Sequence, residues 1–158
     1  MDRIFASISN RRFILFGALL VWLLFVASFF MPVTKDGSMV GWQAFWFYVA
    51  EMWDIPNYWR QVASEPIAAL VPTFPATNFA LFIAPLILWR WPRWAGWLGF
   101  ALVLGGGVPL FWFYELIVKN ELRVGFYCWV ISIFLMAVLS LMCAKGLRKE
   151  HTCIGIAE

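Results

Sequence analysis

The chain has 158 residues, of which 63% are hydrophobic and 13% charged, with a mean hydropathy of +0.79 and a formal net charge of +3. A water-soluble domain ordinarily carries about 25% charged residues, so this sequence lacks the polar surface to cover itself in water. Its small net charge gives no reason to expect a nucleic-acid partner, and its length leaves no room for a soluble catalytic domain beside several membrane spans.

A helix crossing the hydrocarbon core needs about 20 apolar residues, and four segments approach that length. The first, 13–31, follows Arg11 and Arg12 and ends before Pro32. Val26-Ala27-Ser28 loosely resembles a signal-peptidase site, but the apolar run exceeds the usual signal core of about 7–15 residues, so an uncleaved anchor is expected. The second, 75–91, opens on Pro75, which suits a first helical turn, and contains Pro85, which should kink it. The third, 94–114, follows almost at once, so the two form a tight antiparallel hairpin. The fourth, 124–144, ends at Lys145. The expected fold is an all-α membrane protein, one domain over 1–158, with four transmembrane helices arranged as a four-helix bundle.

The long connection, 32–74, is apolar. Trp42, Phe45, Trp46, Val49, Met52 and Trp53 fall on one helical face, and the run is too short to span, so an amphipathic interfacial helix is expected, with its rings at headgroup depth. Pro56 should start a new element, and Ile67 to Val71 should pack back on the spans.

Sidedness follows from the basic residues. Arg3, Arg11, Arg12, Arg90, Arg93, Lys145, Arg148 and Lys149 lie on one side, and Lys35, Arg60, Lys119 and Arg123 on the other. The first group crowds the span ends, so both termini are assigned to the cytoplasm by the positive-inside rule. The tryptophans agree: ten of eleven fall at span ends or in the connection, where aromatic belts form, and only Trp22 lies deep in a span. The location implied is a bacterial inner membrane, crossed several times.

An ionisable group inside lipid marks function by default, and these spans hold no charged residue away from their ends, only border cases such as Arg90. Glu115, at the outer end of the third span, either is drawn into the membrane or forms an ordinary i, i+4 surface pair with Lys119. Glu51 and Asp54 flank the interfacial helix and either bind a cation or basic partner or merely keep that edge solvated. Asn78 is read chiefly as a packing amide, with substrate contact as the functional alternative. Gly105-Gly106-Gly107 before Pro109 is expected to interrupt the third helix, a break that either exposes carbonyls to a cavity or ion or lets a neighbouring helix approach closely.

Known membrane chemistries find few residues to use. The single histidine, His151, lies in the tail, which argues against haem ligation, Ser-His hydrolysis and multi-His metal centres. There is no Cys-x-x-Cys pair and no pair of Asp within the spans. Cys128 and Cys143, on one helix about 22 Å apart at its rise, cannot bridge; all three cysteines are read as free thiols. No cofactor and no enzymatic role are expected.

Ser28 to Pro32, then Gly41-Trp42-x-Ala44-Phe45, then Asn78, resemble a class of small bacterial inner-membrane proteins. In these the first helix ends in an apolar-Pro step, a Gly-Trp-rich outer segment follows and an Asn opens the second helix. The resemblance covers the first half of the chain and implies topology alone. Two functions remain. One is a non-catalytic membrane protein acting through a protein partner or self-association (a scaffold, an assembly factor or an immunity-type protein), with Trp42 and Trp46 as contacts and small-residue spacings such as Ala95-x-x-x-Gly99 and Ala101-x-x-x-Gly105 in its favour. The other is a small transporter, channel or lipid-binding protein with a cavity near Asn78 and Gly106.

Overall fold

Uncharged apolar runs of this length have one way to satisfy their backbone away from water, which is to bond within the segment as helix. The computed structural model describes residues 2–64, 70, 72–112, 114, 117 and 121–154. Its elements are α1 (Asp2–Ser28), α2 (Gly41–Trp53), α3 (Ile55–Ser64), α4 (Thr73–Arg90), a 3₁₀ turn at Pro92–Trp94, α5 (Ala95–Trp112) and α6 (Val124–Ile154). Among the described residues there is no strand, only the isolated bridges Pro32–Val40 and Thr34–Leu122.

Among the described residues three stretches are long and apolar enough to cross a membrane: Arg11–Ser28, Pro92–Phe111 and Val124–Gly146. The 18-residue α4 carries Thr73, Thr77, Asn78 and Arg90 and falls outside that set. The short 3₁₀ turn closes the α4–α5 hairpin as the sequence implied. α1 ends at Ser28 rather than Met31, because the next three N–H groups bond three residues back, tightening the chain out of the helix before Pro32. α6 continues past Ala144 to Ile154.

α1, α4, α5 and α6 pack side by side with neighbours antiparallel, and Ile14, Ala18, Phe25, Leu81, Leu88, Leu102, Ile133 and Met136 meet between them. Large apolar side chains also cover the outside, among them Phe16, Leu23, Phe82, Phe100, Leu104 and Val138. In lipid the hydrophobic effect does not hold helices together; close approach of small residues does. A Cβ on Gly99 would lie 2.8 Å from Leu141 Cγ and 3.1 Å from the Ala137 carbonyl, and one on Gly105 would collide with the Thr77 hydroxyl. Ala95 is fully buried. The small-residue spacings expected to serve a partner are therefore used largely inside the protein, with Ala101 alone left exposed.

The expected break at Gly105 to Gly107 is absent, and α5 runs through it and through the buried Pro109. Proline removes one helix bond, a loss that packed transmembrane helices tolerate. The close-approach reading is the one that holds, since Gly105 meets α4 and Gly106 meets α6.

Two polar contacts tie α1 to α4 along their length. At one end, Arg11 Nη2 donates to the Trp89 carbonyl at 3.0 Å, a cation at a helix C-terminus. Midway, Trp22 Nε1 donates to the Phe82 carbonyl at 3.1 Å. The adjacent Leu81 carbonyl is the one that Pro85 deprives of its donor, so the indole sits where the ladder is weakest. Trp22, the one tryptophan deep in a span, thus has a partner.

At the opposite end, a backbone clasp joins the α1–α2 connection to the segment before α6. Lys35 N–H donates to the Glu121 carbonyl at 2.8 Å, Arg123 N–H to Val33 at 2.8 Å and Gly125 N–H to Pro32 at 3.1 Å. The Arg123 guanidinium also donates twice to the Lys35 carbonyl, at 3.2 and 3.1 Å. The exposed turn beyond it closes on Gly37, whose φ of 71° favours glycine. There, hydroxyl bonds from Thr34 and Ser38, with the Ser38 N–H, hold the Asp36 carboxyl below the usual carboxylate range.

A Cβ on Gly125 would meet the Pro32 carbonyl at 2.8 Å and the Met31 carbonyl at 2.9 Å. Gly125→Ala should therefore destabilise the protein in detergent by about 1–3 kcal/mol, the usual range for overpacking. Gly107→Ala, where a Cβ meets nothing within 4 Å, should be neutral or slightly stabilising. Thermal unfolding of both variants, followed by circular dichroism, checks the contrast.

Candidate functional site

Four helix ends converge beneath α2: the C-terminus of α1 and the N-termini of α2, α4 and α6. The first turn of α2 is drawn in because Gly41 has no side chain; a Cβ there would lie 2.5 Å from the Ser28 carbonyl and 2.7 Å from Phe29 Cα. Its backbone is fastened by Gly41 N–H to Met31 O at 3.2 Å and Trp42 N–H to Phe29 O at 3.0 Å. Gln43 Oε1 reaches back to accept from Val40 N–H at 3.0 Å, a half capping box.

The convergence leaves a small vault of about 60 Å³, lined by residues that include Phe29, Phe45, Phe74, Asn78, Phe126 and Trp129. A single water needs about 10–15 Å³ by a comparable measure, so the space holds a few small groups. Its walls are ring against ring. Phe74 stacks on Trp129 with centroids 6.3 Å apart and planes 10° off parallel, Phe126 tilts against Trp129 at 5.9 Å, and Phe29 meets Phe45 at 5.9 Å.

Asn78 supplies the main polar atoms. It is 8% exposed; Trp129 Nε1 donates to its Oδ1 at 2.7 Å, and its Nδ2 donates to the Phe74 carbonyl at 2.9 Å. The amide is thereby engaged on both its faces, which fits the packing role. Ser28 is also buried, with its hydroxyl donating to the Phe25 carbonyl at 2.6 Å. Among the described residues no ionisable side chain lines the vault. What this arrangement can do chemically is enclose an apolar group against aromatic faces.

The other sequence candidates are dispersed. Trp42 and Trp46 sit on the covering helix but point outward, 47% and 55% exposed, while Phe45 turns in. The single apolar face expected for α2 is thus divided between a buried and an exposed side. Glu51 lies in the last turn of α2. Asp54 is at the α2–α3 junction, where its carboxylate accepts from Asn57 Nδ2 at 2.6 Å and its carbonyl from Tyr58 N–H at 2.9 Å. It follows the last residue of α2 and precedes the first of α3. Gly106 belongs to the α5–α6 interface, 2.8 Å from Ile133 by its would-be Cβ. Glu115, and nearly all of Ile67 to Val71, lie outside the described residues. Among the described residues no cluster of His, Cys, Asp or Glu could hold a metal.

Sequence reasoning missed Phe74, Phe126 and Trp129 as a group, and the two glycines that let the ends meet. The one available signal was Asn78 itself, since an amide in an apolar segment needs a donor; nothing in the sequence selects Trp129, 51 residues away, as that donor. Comparison with family models, with curated proteins and with solved structures finds no match.

The Asn78–Trp129 bond lends itself to a double-mutant cycle. Trp129→Phe and Asn78→Leu should each destabilise, the latter by leaving a buried N–H unpaired at a cost of about 1–3 kcal/mol. The coupling between them should be about 0.6 kcal/mol, the usual range for such bonds in membranes. Additive effects would show that the bond contributes nothing.

Proposed function

We propose that the chain is a non-catalytic, multi-pass protein of a bacterial inner membrane that acts through a partner membrane protein docked on its outer helices. In this reading α4 is the fourth span of a four-helix bundle, both termini are cytoplasmic, and α2 lies at the outer interface. The observation that carries the proposal is the posture of α2. Its first turn is pinned to α1, yet Trp42, Trp46, Phe47 and Trp53 remain between 47% and 78% exposed, joined by Trp59 of α3 at 63%. Exposed aromatic side chains in this number suit an interface.

Sidedness is supported by charge. Arg11, Arg90 and Arg93 sit at the end opposite the clasp, and Arg11 bonds the last turn of α4. Exposed Trp89, Trp91, Trp94 and Trp97 ring that same end, as an aromatic belt would.

The competing reading divides. A transporter or channel needs a polar path, whereas the buried Ser28, Thr77, Ser132 and Ser140 all return their hydroxyls to backbone carbonyls of their own helices. Lipid binding is better supported, because the apolar vault would take the end of a hydrocarbon chain.

Purification of the protein from its native membranes in mild detergent should bring down one membrane protein in stoichiometric yield. Trp42→Ala combined with Trp46→Ala should abolish that yield while the chain stays membrane-inserted. Recovery of the unaltered protein as a lone monomer would overturn the proposal. For sidedness, in a background lacking the native cysteines, an impermeant maleimide should label Ser38→Cys in intact spheroplasts and Lys145→Cys only after lysis.

A further inference from the structure

At the end opposite the vault, α4, the 3₁₀ turn and α5 border an open groove of about 490 Å³. Its trough is apolar, formed by Ile83 and Ile87 of α4 with Leu98 and Ala101 of α5. Among the described residues its mouth carries one cation, Arg93, among Trp91, Trp94 and Trp97, and no carboxylate lines it. From Ile83 to Trp91 is eight residues, about 12 Å along a helix. One leaflet of hydrocarbon is about 15 Å deep, half the bilayer core.

We propose that this groove is a specific site for an anionic phospholipid of the cytoplasmic leaflet, its phosphate on Arg93 and one acyl chain along Ile83, Ile87 and Ala101. The inference rests on the membrane assignment made above and is independent of any protein partner. Three observations carry it. The charged mouth and the apolar trough are ordered as headgroup and chain are ordered in a lipid. The trough is close to one leaflet deep. The donors at the mouth are also free to act: the indoles of Trp22 and Trp129 bond within the protein, whereas among the described residues Arg93 and the indole N–H groups of Trp91, Trp94 and Trp97 have no protein partner. An indole at headgroup depth donates to phosphate or ester oxygens, and basic pockets between helices on the cytoplasmic side favour anionic lipids. An extended peptide would find no polar side chain along the trough, among the described residues, to satisfy its backbone.

The test is native mass spectrometry of the full chain released by mild detergent from vesicles of equal phosphatidylglycerol and phosphatidylcholine. One phosphatidylglycerol per chain should be retained in preference to phosphatidylcholine. Arg93→Gln should lower that retention about fivefold, the weight of one basic residue near a membrane surface. Ala101→Trp, which fills the trough and leaves Arg93 in place, should lower it as well. Arg60→Gln, which removes the same charge from exposed α3, should leave it unchanged, and added inorganic phosphate should not displace the lipid. Equal retention of both lipids, equal loss in Arg93→Gln and Arg60→Gln, or displacement by inorganic phosphate would each overturn the site. Because the vesicles present the same lipids on both faces, a preference would survive reversed sidedness, so the site and the topology fail separately.

Discussion

Hydrocarbon offers no hydrogen bonds, and most of this architecture is a response to that. A backbone carbonyl or hydroxyl left unpaired in lipid costs several kcal/mol. The buried hydroxyls of Thr77, Ser132 and Ser140 accordingly fold back on the carbonyls of Thr73, Cys128 and Met136. Asn78, which cannot satisfy both faces of its amide locally, reaches α6 instead and finds the indole of Trp129. Among the described residues no buried side-chain polar atom is left without a partner. The same condition explains why the cross-chain polar contacts are few and are placed at helix ends or beside a proline.

Helix adhesion follows a second consequence of the same solvent. Burying apolar surface gains little when the alternative is lipid, so contact distance decides, and glycine sets contact distance. Gly99 and Gly106 bring α5 onto α6, Gly105 brings it onto α4, and Gly17 lies 3.5 Å, by its would-be Cβ, from Leu139 of α6. The exposed rows of Phe, Leu and Val on the opposite faces are the counterpart of this economy of small residues.

Much of this was legible in the sequence, and the rest was not for identifiable reasons. Apolar run lengths marked the long helices, although among the described residues only three are long and apolar enough to cross a membrane, and the short gap between the second and third runs marked the hairpin. The Gly-Gly-Gly-x-Pro stretch misled because glycine and proline break helices in water, where the freed backbone is solvated, and are tolerated where neighbours pack around it. Trp22 had no explanation in sequence because its acceptor, the Phe82 carbonyl, is 60 residues away and carries no side-chain signature. The clasp was equally invisible, being made largely of main-chain atoms; among the described residues the Arg123 guanidinium supplies its side-chain bonds. Of the candidate residues, Asn78 alone lines the vault, because a polar side chain in an apolar segment is legible as an exception, whereas an aromatic ring among many is not.

The clasp has a mechanical meaning. Residues 32–35 are bonded on one side to the strand of backbone leading into α6, and the turns either side of Gly41 are bonded to the end of α1. α2 therefore has no slack at its root. A load on its exposed indoles would pass through these main-chain bonds to the end of α1 and, by way of residues 32–35, to the segment that leads into α6.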